Sequence, residues 1–293
     1  MSGFAFPTQD ALRIARTALA EDLGGLDGVD VTTEATIDPS TLAVAHIVAR
    51  APGVVAGLPV IDLVLSECAA ITGGAPVLCE IEAVDGSAVR PGDVLAILRG
   101  PAATILTAER TILNILSRIC GVATATRAWA EVLEGTDTTV LDTRKTTPGM
   151  RALEKYAVRA GGGTNKRMGL YDVAMVKDNH KLAAGSITAA YERIRERFPD
   201  VPIQVEVTSV AEAVEAVAAG ARFIMCDNMS PDLLGETIGA LAGAGETVEV
   251  EATGGLTLER ATAYAATGVD YLSVGALTHS APILDVALDF VDV

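Results

Sequence analysis

The chain has 293 residues, a formal net charge of −16, 50% hydrophobic residues and only 4% aromatic residues. This length suffices for one large α/β barrel or two ordinary domains, and the aliphatic composition favours parallel strands covered by helices. The negative charge argues against nucleic acid or an anionic membrane as a partner. No segment resembles a signal peptide or reaches the length of a membrane span, so a soluble, cytoplasmic protein is expected.

Neither the cysteines nor the histidines have the spacing of metal ligands. The four cysteines occur singly and are expected to be buried thiols, not a zinc site or disulfides: Cys68, Cys79, Cys120 and Cys226. The three histidines are too few and too dispersed for a metal triad: His46, His180 and His279.

Residues 1 to about 116 have the pattern of an α+β module. PTQDALRIARTALAED predicts an amphipathic first helix, and a second helix is predicted over residues 58–70. Strands are predicted in LAVAHIVARAPGVVAGLPVI, PVLCEIEAV and VLAILRG, and the Pro-Gly turn predicts a hairpin over Val84–Leu98. The module leads into a helix, LTAERTILNILSRICGVAT, which carries Arg110 and Arg118.

From about residue 138, short apolar runs alternate with helical patterns. The predicted strands are TTVLDT (138–143), VAMVKD (173–178), PIQVEV (202–207), RFIMCD (222–227), TVEVEA (247–252) and DYLSVG (270–275). Strict alternation of strand and helix indicates a parallel sheet, and six strands favour a barrel over an open doubly wound sheet. Because catalytic residues of such barrels lie at the C-terminal strand ends, the residues there are the candidates for a site.

Cations are concentrated around these strand ends, against the acidic trend of the chain. Residues 142–181 contain nine Lys/Arg and four Asp/Glu, whereas the rest of the chain contains 13 and 34. Arg144, Lys166, Arg167 and Lys177, with Arg110 and Arg118 as further candidates, are expected to form a pocket for a ligand with several carboxylates or phosphates.

Carboxylates and glycine loops follow the later strands. Glu206 and Asp227 end neighbouring strands and suit Mg²⁺ or sugar hydroxyls, although an ion pair with a rim lysine is an alternative. ATGGLT (252–257) and SVGALTHS (273–280) follow the last two strands, where barrels frequently bind phosphate. The residues alone therefore predict a barrel that binds a phosphosugar through Mg²⁺ beside an organic polyanion. A Schiff-base lysine at Lys177 or Lys145 is a weaker alternative.

A series of motifs runs in order along nearly the whole chain: LAEDLG, DVTT, ERTILNILSRICGVAT, LDTRKTTPGMR, GGG-N-x-R-M-G-L-x-D, VKDNH, QVEV, IMCDNMSP, EATGG and DYLSVGALTHS. TRKTTPG and GALTHS are specific motifs. On these motifs the chain resembles the quinolinate phosphoribosyltransferases, also called carboxylating nicotinate-nucleotide pyrophosphorylases.

The resemblance implies an N-terminal α/β sandwich over residues 1–116, with residues 279–293 as a candidate addition, and an irregular, incomplete parallel β/α barrel over residues 117–278. It also implies a homodimer, or a higher oligomer, whose active sites are shared between subunits. The implied reaction joins quinolinate to phosphoribosyl pyrophosphate with Mg²⁺, and gives nicotinate mononucleotide, pyrophosphate and CO₂ in NAD biosynthesis.

The resemblance also implies roles for individual residues. Arg144, Arg167 and Lys177 would bind the quinolinate carboxylates, with Arg110 supplied by the partner subunit. Lys145 would contact the phosphoribosyl donor, and Glu206 and Asp227 the ribose hydroxyls and the metal. The 5′-phosphate region would be formed by Thr253, Gly254, Gly275 and His279.

One substrate-binding position departs from the family pattern, because Lys166 stands where histidine is usual. Lysine keeps the positive charge but loses the flat, titratable imidazole, so affinity, pH dependence or the acid accepted would change. Thr253 in place of serine and Cys226 in place of leucine are milder departures. Two alternatives follow: a paralogue that uses another aromatic acid, and a non-catalytic sensor of phosphoribosyl pyrophosphate.

Overall fold

The computed structural model describes residues 5–243 and 247–292. The chain divides into two compact units, the first formed by Met1–Arg127, Thr146–Gly162 and Leu277–Val293 and the second by Ala128–Lys145 and Gly163–Ala276. The boundary expected at residue 116 falls inside an uninterrupted helix, Ala102–Val132. The first unit also includes residues 146–162, which were expected in the barrel.

The described residues form mixed helices and strands. The helices are α1 (Thr8–Leu23), α2 (Val31–Thr36), α3 (Pro59–Thr72), α4 (Ala102–Val132), α5 (Arg151–Gly161), α6 (Asp178–Ala184), α7 (Ile187–Arg197), α8 (Val210–Ala218), α9 (Pro231–Leu241), α10 (Ala261–Ala265) and α11 (Ala276–His279). The strands are β1 (Leu42–Ala49), β2 (Gly53–Val54), β3 (Leu78–Ile81), β4 (Ala88–Val89), β5 (Val94–Pro101), β6 (Thr139–Leu141), β7 (Ala174–Val176), β8 (Ile203–Val207), β9 (Phe223–Asp227), β10 (Glu249–Thr253), β11 (Tyr271–Ser273) and β12 (Val286–Asp292).

The first unit is built on a four-stranded antiparallel sheet in the order β12-β1-β5-β3. The predicted first helix and the helix predicted over 58–70 are confirmed as α1 and α3. In α1, Ala11, Ala15, Leu19 and Leu23 recur every four residues and are buried, which is the spacing that places one helix face in a core. Both α1 and α3 end at a left-handed glycine.

The predicted hairpin over Val84–Leu98 is wrong. A tight turn is present, because Asp93 donates its N–H to the Arg90 carbonyl and accepts the Arg90 N–H at its carboxylate. However, the strands on either side of the turn belong to different sheets. β4 pairs with β2, whereas β5 pairs with β1 and β3. The turn chemistry was therefore recognised correctly, but it does not determine which strands pair.

The second unit contains all six strands predicted from the alternating pattern, in one parallel sheet. Its order is β6-β11-β10-β9-β8-β7, so strands β7 to β11 follow chain order and β6 lies beside the last of them. An open doubly wound sheet would grow in both directions from a central strand, whereas this order is that of a barrel cut between β6 and β7. The expected incomplete β/α barrel is confirmed.

Serine side chains cap the N-termini of three helices in the second unit. Ser186, Ser209 and Ser230 each accept a backbone N–H in the first turn of α7, α8 and α9. The helix predicted in TLERATAYAATG begins as a 3₁₀ turn at Leu258–Arg260 and continues as α10. Each cap fixes where a helix begins, and hence the length of the loop between it and the preceding strand.

The four cysteines are free thiols, and three of them are buried as expected, but Cys79 on β3 is only half-buried. β3 lies at the edge of its sheet, which leaves the Cys79 side chain partly open to solvent. Among the helices of the described residues, none combines the length and low polarity needed to cross a membrane.

Candidate active site

The predicted site residues of the second unit lie at the C-terminal ends of its parallel strands. Because all six strands run in one direction, these ends share one edge of the sheet. Arg144 and Lys145 follow β6, Lys177 follows β7, Glu206 lies near the end of β8, Asp227 ends β9, Thr253 ends β10 with Gly254 after it, and Gly275 follows β11.

Glu206 and Asp227 form a carboxylate pair with Lys177 beside it. β8 and β9 are neighbours, and the Lys177 ammonium lies 2.5 Å from Glu206 Oε2. Burial and the Glu206 charge raise the pKa of Asp227 above its ordinary value, while Asn228 and Lys177 act in the opposite direction. Two carboxylates balanced by one lysine suit sugar hydroxyls or a divalent cation. A Schiff-base role for Lys177 does not suit this geometry, because its nitrogen is occupied by the contact with Glu206.

Burial and neighbouring cations lower the pKa values of Lys166 and Arg167. Burial, followed by the Arg144 charge, lowers the pKa of Arg167. Burial also lowers the pKa of Lys166, and among the neighbouring charges Glu251 raises it while Lys177 and Arg167 lower it. Like charges are kept together only where a ligand or buried carboxylates compensate them. The structure therefore places Arg167 near Arg144, and Lys166 near both Arg167 and Lys177.

Lys166 lies deeper than the other cations, and a buried carboxylate neutralises it. Its ammonium is 2.6 Å from both Oε1 and Oε2 of Glu251 and 3.0 Å from the Met225 sulfur. The side chains of Lys166 and Glu251 are 8% and 0% exposed. The backbone N–H of Lys166 donates to Asp142, which also accepts from Asn165. Buried carboxylates thus hold both ends of Lys166, so its ammonium forms the floor of the cation cluster.

Sequence reasoning missed the role of Glu251. The strand pattern placed it near the C-terminal end of β10, but β10 continues to Thr253, so Glu251 lies two residues inside the sheet. Two residues along a strand return to the same face, which puts Glu251 below Thr253. A carboxylate in an apolar strand run was the available signal, because charged residues are almost never fully buried unless paired.

The loop after Arg167 is closed by its own backbone and side chains. The Arg167 guanidinium donates to the Val173 carbonyl at 2.7 Å. The Asp172 carboxylate accepts the N–H groups of Met168 and Gly169, at 2.6 and 3.1 Å. These contacts hold Arg167 at one end of a compact turn, which explains why the glycine-rich GGGTNKRMGLYD segment can present charged side chains in fixed positions.

The glycine loops have the backbone geometry that only glycine adopts easily. Gly254 and Gly255 have φ values of 88° and 57°, and Asn228 after β9 has a φ of 55°. The Ser273 hydroxyl at the end of β11 is 4% exposed and is a buried polar atom without a hydrogen-bond partner among the described residues. Glycine loops with open backbone after the last two strands of a barrel are a feature of phosphate sites.

Two predicted site residues belong to the first unit. Arg110 lies in α4 and its side chain is 64% exposed, with its nearest carboxylate, Glu109, 3.8 Å away. His279 ends α11, where its Nδ1 lies 2.6 Å from the Ser280 hydroxyl. Their roles stay predictions. In the second unit Lys145 is exposed, and its N–H donates to the Thr143 hydroxyl at 3.0 Å.

Arg118 was expected as a further member of the cation cluster, but its side chain binds other groups. Its guanidinium donates to the fully buried Glu154 at 2.9 and 3.0 Å and to the carbonyls of Thr278 and Ala281. All of these partners belong to the first unit. Because each donor direction of a guanidinium is fixed, these contacts make Arg118 a structural residue that joins α4 to α5 and the C-terminal segment.

No group of three or more His, Cys, Asp or Glu side chains in the described part of the chain could hold a metal ion by itself. The cysteine nearest the site is also unsuited to nucleophilic catalysis. Burial, and then the Glu251 charge, raise the pKa of Cys226 to about 12, so its thiol is protonated at neutral pH. The edge of the sheet is therefore equipped to bind and orient anions, and Cys226 is not suited to form a covalent intermediate there.

A parallel β/α barrel that presents clustered cations, a carboxylate pair and glycine loops at one edge is a barrel enzyme for phosphorylated, anionic substrates. Profiles of the quinolinate phosphoribosyl transferase N-terminal and C-terminal domains match residues 30–120 and 122–289. The chain belongs to the quinolinate phosphoribosyltransferase family.

Known relatives agree with this assignment over most of their length. The chain is 44% identical to the carboxylating nicotinate-nucleotide pyrophosphorylase of Mycobacterium leprae over 274 residues, which cover 94% of this chain and 95% of the relative. It is 44% identical over 251 residues to a probable enzyme of the same name from Bacillus subtilis, covering 84% and 82%. The crystal structure of NadC from Streptococcus pyogenes superposes with a TM-score of 0.88, 36% identity and full coverage of both chains.

Proposed function

We propose that this chain transfers the phosphoribosyl group of phosphoribosyl pyrophosphate to the ring nitrogen of quinolinate, with loss of the 2-carboxylate. The products are nicotinate mononucleotide, pyrophosphate and CO₂. The observation that carries the proposal is the cation cluster beside the Glu206–Asp227 pair, in a chain whose relatives are named for this reaction. The four free thiols support a reducing, cytoplasmic location.

Quinolinate carries two adjacent carboxylates on an aromatic ring, and the cation cluster matches that charge. Arg144 and Arg167 would bind the carboxylates through their planar guanidinium groups, and Lys177 would add a point charge. Lys166 would supply positive charge from the floor of the pocket, reduced by its pairing with Glu251. Neutralising the dianion lets it lie beside pyrophosphate, and holding it rigidly aligns the ring nitrogen with the anomeric carbon.

The phosphoribosyl donor would occupy the neighbouring part of the edge. Glu206 and Asp227 would accept hydrogen bonds from the ribose hydroxyls and stabilise the positive charge that develops on the ribose as the bond to pyrophosphate breaks. Exposed Lys145 would bind the leaving pyrophosphate. Thr253, Gly254 and Gly275 would offer backbone N–H groups to the 5′-phosphate, with His279 as a further predicted contact.

Mg²⁺ fits the donor set of this site. Mg²⁺ is usually held by one or two carboxylates together with substrate phosphates, rather than by a protein cage of many ligands. Glu206 and Asp227 are two such carboxylates on adjacent strands. When bound, Mg²⁺ would neutralise negative charge on the pyrophosphate oxygens.

Loss of CO₂ requires little from the protein. Once the ring nitrogen is bonded to the ribose, the positively charged pyridinium accepts the electron pair of the breaking C2–carboxylate bond. C2 then takes up a proton. The residues around the ring need only hold the substrate and exclude competing reactions.

We further propose a homodimer in which Arg110 of one subunit completes the quinolinate site of its partner. Arg110 is mostly exposed on a long helix, and its ion-pair partner within the described residues is Glu109, at 3.8 Å. An exposed guanidinium of this kind is available to a carboxylate of another molecule.

The proposed function is tested by measuring pyrophosphate release with phosphoribosyl pyrophosphate, Mg²⁺ and either quinolinate or nicotinate. Quinolinate is expected to support turnover, and nicotinate, which lacks the second carboxylate, is expected to be at least about tenfold poorer because the charge-assisted hydrogen bonds from the cation cluster to that carboxylate would be lost. A preference for nicotinate would contradict the proposed role of the cluster. Binding of the donor without turnover of either acid would indicate a sensor.

A further inference from the structure

Asn228 has an unusual backbone conformation immediately after a proposed active-site residue. Its φ of 55° makes it the one non-glycine residue with a left-handed backbone in the described part of the chain. This conformation costs about 1 kcal/mol or more for an ordinary residue, although asparagine tolerates it better than most. Such residues cluster at functional sites, where the surrounding structure holds them in place.

The left-handed backbone turns the Asn228 side chain toward its neighbour in sequence. Successive side chains of an extended strand point to opposite faces, so an extended residue 228 would carry its amide away from Asp227. Instead, Asn228 Nδ2 donates to Asp227 Oδ2 at 2.8 Å. The Asn228 backbone N–H donates to the Thr253 carbonyl at 2.9 Å, which ties the turn to the end of β10.

Gly254 packs closely against the side chains of Asn228 and Asp227. A Cβ atom at this position would lie 2.5 Å from Asn228 Oδ1 and 2.8 Å from Asp227 Oδ1, both closer than real Cβ contacts. The φ of 88° at Gly254 is itself one that side-chain-bearing residues rarely adopt. Glycine is therefore required here so that the Asn228–Asp227 pair can pack against the loop that follows β10.

We propose that Asn228 is a positioning residue that fixes the Asp227 carboxylate toward the ribose of the phosphoribosyl donor. The amide donates to one carboxylate oxygen and sets the rotation of the group, while the Thr253 carbonyl holds the Asn228 backbone and Gly254 leaves room for the amide. This inference rests on the proposed function, because it names the ribose as the ligand. It assigns a role to a residue that touches the substrate only through Asp227.

The test compares two substitutions that separate the amide from the backbone. Asn228→Gly keeps the left-handed conformation and removes the amide, whereas Asn228→Asp tolerates the conformation but replaces the donor with a negative charge. For Asn228→Gly, the KM for phosphoribosyl pyrophosphate is expected to rise about tenfold, which is the effect of one lost hydrogen bond to a charged group. The KM for quinolinate should stay within about twofold. Asn228→Asp should have a larger effect on the donor, since it adds repulsion.

Gly254→Ala displaces the pair while leaving Asn228 unchanged, but because Gly254 also belongs to the proposed 5′-phosphate site, only an unchanged KM for the donor in this variant decides the question. It should also raise the KM for the donor selectively. An unchanged KM for the donor in Asn228→Gly would overturn this inference but not the proposed function. Equal changes in KM for both substrates, together with a lower melting temperature, would do the same. If Asn228→Gly fails to fold, a wild-type donor KM in Gly254→Ala overturns it. If the wild-type protein itself showed no turnover, both this inference and the proposed function would be overturned.

Discussion

Removal of the Glu251 carboxylate should destabilise the protein strongly and in a pH-dependent manner. In Glu251→Gln the Lys166 ammonium, 8% exposed, loses a partner that contacts it at 2.6 Å through both oxygens. Breaking a buried ion pair by removing one partner typically costs about 3–5 kcal/mol. The Lys166 amine can also escape by losing its proton, which at pH 7 costs about 5 kcal/mol for an ordinary lysine pKa. The expected loss is therefore about 3–5 kcal/mol at pH 7.

The pH dependence has a definite sign. Burial already lowers the pKa of Lys166, followed by the charges of Lys177 and Arg167, and removing Glu251 lowers it further. The folded variant then binds fewer protons than the unfolded chain, so its stability rises with pH until the unfolded lysine also loses its proton. The loss in Glu251→Gln should shrink by up to about 3 kcal/mol between pH 7 and pH 9, because deprotonation becomes cheaper by about 1.4 kcal/mol per pH unit.

Lys166→Met is the matched control, since it leaves the buried carboxylate without its cation. Glu251 must then take up a proton, which becomes harder as pH rises, so this loss should grow between pH 7 and pH 9. In the double variant the loss should be smaller than the sum of the two single losses. Urea unfolding at both pH values gives the stability of the wild type, the two single variants and the double variant. A loss below about 1 kcal/mol in Glu251→Gln, unchanged between the two pH values, would refute a buried charged pair.

Three further predictions concern the substrate site, the subunit arrangement and the first unit. Arg167→Lys should raise the KM for quinolinate about tenfold or more while leaving that for the donor unchanged, because lysine cannot bind a carboxylate bidentately; equal effects on both substrates in initial-rate assays would contradict this. Mixing inactive Arg110→Ala and Lys145→Ala subunits should restore activity at about a quarter of the sites, whereas no recovery would argue against shared sites. Asp30→Ala should cost about 1 kcal/mol of stability by removing the cap that accepts the N–H groups of Thr32 and Thr33. Asp30→Asn keeps an acceptor and should cost less, so equal melting temperatures for the two variants would contradict the capping role.

The sequence was sufficient to predict the six strands of the second unit and the residues at their C-terminal ends. Each strand is a short apolar run bounded by polar residues, and parallel pairing forces the ends together. The neighbouring positions of Glu206 and Asp227 followed from chain order alone, since β8 and β9 are consecutive. These predictions succeeded because they depend on local pattern and on one rule of topology.

Other features depend on contacts between distant residues, which periodicity does not report. Lys166 and Glu251 are 85 residues apart, and nothing local indicates that one neutralises the other. Arg118 has the same chemistry as Arg144, but its partners, Glu154 and the C-terminal segment, make it structural. The turn expected in Val84–Leu98 is present, but the strands on its two sides, β4 and β5, pair with β2 and β1 and not with each other. The left-handed Asn228 is also set by its neighbours, Asp227 and Gly254.

The most direct measurement uses quinolinate labelled in its 2-carboxylate, incubated with the protein, phosphoribosyl pyrophosphate and Mg²⁺. Labelled CO₂ should appear in step with nicotinate mononucleotide and pyrophosphate, one of each per turnover, and none should appear without the donor. The combined loss of Arg144 and Arg167 should abolish release in a folded protein. Mononucleotide formed without labelled CO₂, or full release by the double variant, would contradict the assignment of this edge of the barrel as a quinolinate phosphoribosyltransferase site.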